Sequence, residues 1–389
     1  MKLKLIPRFY YSFRVIDVIN AVISNHNNKR KYFQYFNTKN IYFFNSARAG
    51  LSVLLKSLSK EGSLKVGVQP YNCETVFQAI EKAGCTPVFI DINSKFSIDL
   101  EDLERKRNNV DVIIATHTFG IPADIDNIKS IMFDKIVIED CAHAFFSEIK
   151  GKPCGTFGDA SFFSMGYGKF PSIGHGGFVL INNGIALDNF NNEYNKLNEP
   201  SYSDEIFNLF KNLAYSIAFK SMLYRLITFP YLKKIDKKYD FLGKFIFYEK
   251  KGYRVNKNLL FSNYDLYLKI NKERRSKSFI LKSHIRQSQN LNNILGNNYY
   301  LFPILCEERN YLFEELLEAG YECGKHFSES ISVAKKYGYI ENSCPNAENI
   351  ARLILTLPNH PYLREKDIMK IARIVNKYKL YEQKLFIST

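Results

Sequence analysis

The order of short β-rich runs along the first half of the chain restricts its fold more than any other feature of the sequence. Seven runs fall at 41–44, 66–69, 87–91, 112–117, 136–140, 160–165 and 177–182, with helical-length stretches such as 49–60 and 76–83 between several of them. Strands alternating with helices read as βαβ units around a mostly parallel sheet. The run from Lys135 to Asp140, KIVIED, is apolar without alternation, as strands covered on both faces are. Near residue 185 the pattern gives way to an Asn-rich loop, then to an apolar and basic helix-like stretch reaching about 260. From about 261 an α/β character returns, with amphipathic helices expected after Glu308 and Glu365. At 389 residues the chain exceeds the ~250–300 at which one core stops growing. The expectation is an α/β chain of two domains. A large domain, 1–255, holds a mostly parallel seven-stranded sheet and carries a basic, apolar helical insertion at about 190–260. A smaller C-terminal α/β domain spans 256–389.

The net charge is +15, and its position matters more than its size. Residues 1–60 carry +10 and residues 201–260 carry +7, so the rest is close to neutral. Neither segment has an RNP-like stretch, zinc knuckle or basic-region heptad, so no nucleic-acid partner is expected. The N-terminal stretch starts basic, but Arg8, Arg14 and Asp17 interrupt any apolar core of a signal peptide. No uncharged stretch approaches the ~20 residues of a membrane span. Seven cysteines at irregular spacing, with no CxxC pair, imply a reducing compartment and no metal site. A cytoplasmic protein is expected.

In the insertion, Ile206, Phe207, Phe210, Leu213, Ala214, Ile217, Met222 and Leu226 fall near one helical face, interrupted by Lys211, Lys220 and Arg225. Lys233, Lys234, Lys237 and Lys238 follow. This suits a helix lying on the inner face of an anionic membrane. The plainer alternative is an insertion packed against the core or a second subunit.

Ligands of open α/β sheets bind beyond the carboxyl ends of the strands. After the first run come Ser46, Ala47, Arg48 and Ala49, small residues that open a helix with free amides and one fixed cation. Alone, that is either an anion loop or an ordinary helix start. Thr116-His117-Thr118 follows the fourth run and Asp140-Cys141-Ala142-His143 the fifth, where the aspartate could bind a ligand or simply cap a helix. In the segment 155–177, Lys169 stands alone among apolar residues and glycines, after Ser164. A desolvated lysine there would have a lowered pKa and attack carbonyls; a surface lysine would merely snorkel.

Together these segments resemble the DegT/DnrJ/EryC1/StrS aminotransferases, pyridoxal-phosphate-dependent sugar aminotransferases of fold type I. SARAGL resembles the family's S-G-T/R-x-A-L loop, and IEDCAHAF its E-D-A/C-A-Q/H-A stretch. FGDASFFSMGYGKFPSIGHGG resembles G-D-x-x-x-F-S-F-x-x-T-K-x-I-x-x-G-E-G-G at the same spacing. VQPYNCETVFQAI, GCTPVFIDI, THTFGIPADID and CPNAENIARLILTLPNHPYL match four further motifs in order, so that roughly 40–185 and 260–375 are covered.

The resemblance implies that Lys169 bonds the pyridoxal 5'-phosphate and moves the substrate proton. It implies that Asp140 pairs with the ring nitrogen, that His143 lies beside the ring, and that Ser164, Ala47 and Arg48 hold the phosphate. Asn263 matches a residue that reaches the partner's phosphate, which implies a homodimer with shared active sites. Cys73 stands where the family stacks an aromatic, so Tyr71 or another residue would do so. Gly168, His175 and Asp265 also depart from the pattern, replacing a threonine, an acid and an arginine. The implied activity moves an amino group, from glutamate as donor, to a keto sugar nucleotide for surface polysaccharide or lipopolysaccharide. Open alternatives are a pyridoxal-phosphate sugar dehydratase, a transaminase of a non-nucleotide substrate, or a non-catalytic scaffold docked on a membrane.

Overall fold

The computed structural model describes residues 5–8, 13–23, 29–59, 63–184, 187–219, 223–230, 247–286, 295–361 and 363–381. Its centre is a seven-stranded sheet ordered β1-β9-β8-β5-β4-β2-β3. The strands are β1 (Ile41–Phe44), β2 (Lys65–Val68), β3 (Thr86–Phe89), β4 (Val112–Thr116), β5 (Ile136–Asp140), β8 (Ala160–Ser164) and β9 (Gly177–Ile181). A short ribbon, β6 (Glu148–Ile149) with β7 (Lys152–Pro153), lies outside the sheet. Pairings from β3 through β8 are parallel, and β9 runs antiparallel to both neighbours.

The continuous apolar strands are covered on both faces. In β4, Val112 and Ile114 join one buried cluster while Ile113 and Ala115 join another. In β5, Ile138 and Val137 divide the same way. The helices of this half include α1 (Val15–Ile23), α2 (Lys29–Phe36), α3 (Ala47–Leu58), α4 (Glu74–Lys82), α5 (Leu100–Lys106) and α6 (Ile125–Ile131).

The Asn-rich segment expected as loop is instead helix α7 (Leu187–Asn195). Two aromatics one turn apart decide this: Phe190 and Tyr194 pack edge-on against Tyr42 at 4.9 and 5.1 Å. The insertion forms α8 (Tyr202–Ala218), opened by a Ser201–Asp204 capping box. Its orientation reverses the usual amphipathic arrangement. The polar residues Asn208, Asn212 and Ser216 are buried, whereas Tyr202, Ile206, Phe207, Phe210 and Ile217 are exposed. Met222, Lys220 and the four lysines between 233 and 238 lie outside the described residues.

Two helices, α9 (Arg254–Ser262) and α10 (Tyr264–His284), lead to an antiparallel pair, β10 (Phe302–Leu305) with β11 (Ile354–Leu357). Around it pack α11 (Arg309–Glu318) and α14 (Glu365–Val375), and Leu281, Phe302, Leu316, Leu355 and Ile371 form a separate buried cluster. Helices α12 (Ser330–Lys335) and α13 (Pro345–Leu353) instead contribute to the main cluster of the large sheet. Asp91 fixes this contact by accepting the Asn346 and Ala347 amides at 3.1 and 2.9 Å.

Candidate active site

Strand register gathers the polar residues at one edge of the sheet. Thr116 pairs with Asp140, and Asp140 with Phe162. Ser164 and Phe44 both face Gly177, one on each side of β9. Strands β4, β5 and β8 therefore deliver their ends to one cavity of about 300 Å³, joined there by Ser46 just after β1 and Gly176 just before β9.

One end of the cavity is built for an anion. Ser46 caps α3, its Oγ accepting the Ala49 amide at 3.3 Å. The amides of the next residues, Ala47 and Arg48, belong to the first turn, which has no partners within the helix. A Cβ on Gly177 would come 2.7 Å from the Ala47 nitrogen and 2.5 Å from the Phe163 carbonyl, so only glycine lets β9 pass under the helix start. Ser164, Gly176 and Arg48 line the same end. Arg48 donates to Gln78 Oε1 at 2.9 Å, and burial lowers its pKa.

Asp140 is buried on the floor. Its Oδ1 accepts the Ala142 amide at 3.0 Å, and Thr116 Oγ1 lies 3.5 Å from Oδ2. Burial raises its pKa, opposed first by the hydrogen bond from the Ala142 amide. Asn72 holds Thr116 through a 3.1 Å bond.

Lys169 and His143 meet in the cavity wall, Nζ to Nε2 at 2.8 Å. The Phe119 amide donates to His143 Nδ1 at 3.2 Å. That leaves Nε2 as the only site for the proton of a neutral ring, so the imidazole donates and the lysine accepts as a free amine. Electrostatics agrees. Burial pushes His143 well below its usual range and lowers Lys169 as well, so both groups are biased to their neutral forms. The imidazole is held in an aromatic stack by Tyr300 at 4.7 Å and Phe327 at 5.7 Å. The Tyr300 hydroxyl donates to the carbonyl of Gly168, which has φ +77°. The threonine expected there would be strained in that conformation, which accounts for the glycine.

Of the residues singled out from sequence, Ala47, Arg48, Cys73, Asp140, His143, Ser164 and Lys169 line this cavity. Tyr71 does not. It is wholly buried, edge-on to Phe327 at 5.6 Å, and its hydroxyl donates to the His326 carbonyl. Phe327 does line the cavity, delivered from the C-terminal half, together with Phe162 and Tyr167. Asn263 does not line it either; it is buried at the end of α9 with its amide donating to the Leu259 carbonyl at 2.9 Å. His117 is structural: Nδ1 accepts the Ala123 amide, and Nε2 lies 2.9 Å from Glu139 Oε2. Glu139 in turn takes the amides of Gly155, Phe157 and Gly158, each at 2.7 Å. With its carboxylate thus filled, the buried His117, Glu139 and Cys141 grouping holds a loop together.

The donor set fits a flat cofactor with an anion at one end and a ring nitrogen at the other. Amides and a guanidinium await the anion, a buried carboxylate stands at the floor, and a free amine lies beside them. The sequence profile of the DegT/DnrJ/EryC1/StrS aminotransferase family matches residues 25–197 and 269–376. The chain belongs to this family. It is therefore a pyridoxal-phosphate-dependent aminotransferase of fold type I. A UDP-4-amino-4,6-dideoxy-N-acetyl-β-L-altrosamine transaminase of Campylobacter jejuni is 26% identical over 86% of this chain and 84% of its own length. A GDP-perosamine synthase of Escherichia coli O157:H7 is 40% identical, over 28% of this chain and 31% of its own. The fold is that of a putative sugar aminotransferase of Streptococcus pneumoniae solved in its PMP form, with a TM-score of 0.74 and 19% identity over 96% of both chains. Family motifs account for the aligned Asp140, Ser164 and Lys169, and strand-end position pointed to Thr116, whereas Phe327 and Tyr300 emerge only from the folded geometry.

Proposed function

We propose that this aminotransferase passes an amino group from glutamate to the ketone of a keto sugar nucleotide, for surface polysaccharide or lipopolysaccharide. The observation that carries the reading is the free amine of Lys169 held 2.8 Å from His143 Nε2. The sugar-nucleotide names of the Campylobacter and Escherichia relatives support the substrate class. Pyridoxal phosphate, when bound, supplies a carbonyl that exchanges amines and a ring that draws electrons from the neighbouring carbon.

The residues have separate tasks. Ala47, Arg48 and Ser164 would hold the phosphate, and Asp140 would keep the ring nitrogen protonated. Lys169, whose pKa burial lowers, would take the proton from the amino donor's α-carbon and return it at the sugar carbon. His143, fixed by Phe119 and Tyr300, would orient that amine. Cys73 lies beside them with only small bulk to offer the ring, and Phe327 supplies the aromatic surface.

The working unit we infer is a cytoplasmic homodimer in which Asn263 serves the partner's phosphate. A large domain would end near residue 255 and a smaller one follow. The exposed apolar face of α8 supports peripheral contact with an anionic membrane. The enzymatic test is a panel of UDP-, dTDP- and GDP-linked keto sugars incubated with glutamate, with 2-oxoglutarate release as readout. Release with at least one sugar is expected; release with a simple keto acid but with no sugar would reject the substrate class.

A further inference from the structure

Helix α8 lies outside the family's own motifs, yet it reaches the cavity wall. Asn208 and Asn212 both donate to Asn256 Oδ1, at 2.7 and 2.8 Å, and Asn256 donates to the His175 carbonyl at 2.6 Å. Tyr215 stacks on Tyr167 with ring centroids 3.7 Å apart. These contacts seat α8 on the lysine loop and bring Lys211 Nζ to 2.6 Å from His175 Nε2. His175 lines the cavity together with Arg48, Ser164 and Gly176.

The charges of this wall are unbalanced. An ammonium donates, so His175 Nε2 accepts and the ring proton sits on Nδ1. Burial, then Lys211 and Arg48, push His175 down to about 4, so the ring is neutral. Among the described residues, no carboxylate lies within ion-pair distance of Lys211 or Arg48. The polar partner of Arg48 is the neutral Gln78, and that of Lys211 is the neutral imidazole. Burial lowers the pKa of both cations. Both cations act on His175, and a dianion beside it would relieve the burial penalty of each, which for Arg48 the Glu74 carboxylate offsets only in part.

Building on the cofactor reading above, we propose that Lys211 and His175 join Arg48 in a phosphate subsite, so that the inserted helix supplies the second cation from within the same chain. The phosphate is either that of the cofactor or that of the nucleotide substrate.

Equilibrium binding of pyridoxal phosphate, unphosphorylated pyridoxal and UDP to the wild type, Lys211→Met and Lys211→Arg tests the subsite. With a charge-assisted bond lost, Lys211→Met is expected to bind pyridoxal phosphate about tenfold more weakly or worse. Pyridoxal binding stays unchanged, and Lys211→Arg recovers most of the loss. If pyridoxal phosphate is unaffected but UDP binds the cofactor-loaded protein about tenfold more weakly, the phosphate is the substrate's and the subsite stands. Equal loss for pyridoxal and its phosphate, or no loss for any probe, overturns it. Should Lys211→Met fail to fold by far-UV circular dichroism, Lys211→Gln takes its place under the same criteria. If the wild type binds neither form of pyridoxal, the cofactor reading fails, and Lys211-dependent binding of inorganic phosphate then decides the subsite separately.

Discussion

The imidazole of His143 donates from Nε2 to the amine of Lys169 across 2.8 Å, because the Phe119 amide already occupies Nδ1. A lysine in this state is a nucleophile without further activation. Lys169→Ala is expected to lose the visible absorbance of lysine-bound cofactor and to lower transamination by more than about a thousandfold. Its far-UV circular dichroism should match the wild type. A variant that keeps the visible band would remove Lys169 from its assigned role.

Acid should weaken the fold through buried histidines. Burial holds His143 and His326 well below 6.5, and His175 and His360 at about 4. Between pH 6.5 and about 4 the unfolded chain takes up protons that the folded chain refuses, so stability falls as pH falls through that window. His360 is almost fully buried, with Nε2 2.8 Å from the Pro7 carbonyl. Its drop from 6.5 to about 4 corresponds to ~3 kcal/mol. Urea unfolding at pH 7 and pH 4.5 measures the effect. His360→Gln should flatten the fall by about 2 kcal/mol, and an unaltered slope would refute the assignment.

The central sheet was legible because its strands are covered on both faces. KIVIED reads as a buried strand from composition alone, and β5 occupies the expected 136–140. Asp140 and Lys169 were legible through spacing, since the motif fixes each at the carboxyl edge of the sheet or just beyond it. Contacts made across long sequence separation left no such trace. Tyr300 and Phe327 stack on His143 from more than a hundred residues away, and no periodicity announces them. Tyr71 stood close in sequence to the expected stacking position, but its backbone turns it into the core behind Phe327. Helix α8 has the expected period, yet Asn208 and Asn212 are drawn inward by Asn256, and the apolar face is left outside.

Two glycines separate backbone strain from collision. Gly84 and Gly120 have φ of +75° and +86°. A Cβ on Gly84 meets nothing within 4 Å, whereas one on Gly120 would fall 1.8 Å from Asn298 Oδ1. Asn298 ties down the carbonyls of His143 and Phe145 at 2.9 and 2.7 Å, so it cannot yield freely. Gly84→Ala should cost ~1 kcal/mol from the left-handed backbone alone. Gly120→Ala should cost ~3 kcal/mol or more and weaken cofactor retention, as urea unfolding and absorbance would record. Equal losses at the two positions would show that the Asn298 contact carries no weight.

The outward face of α8 gives the last prediction. Ile206 and Phe210 stand one turn apart and are 44% and 65% exposed, in a segment of net charge +7. Apolar side chains beside basic residues bind anionic lipid through two additive contributions, of which only the electrostatic one is screened by salt. The wild type should therefore float with anionic vesicles at low ionic strength and partly detach at high salt, while neutral vesicles capture little. Ile206→Asp combined with Phe210→Asp removes the apolar contribution and should abolish flotation while leaving cofactor absorbance intact. Failure of the wild type to float at low salt ends the membrane reading. A second copy of the chain would then be the remaining cover for this face, and the double variant should dissociate in sedimentation.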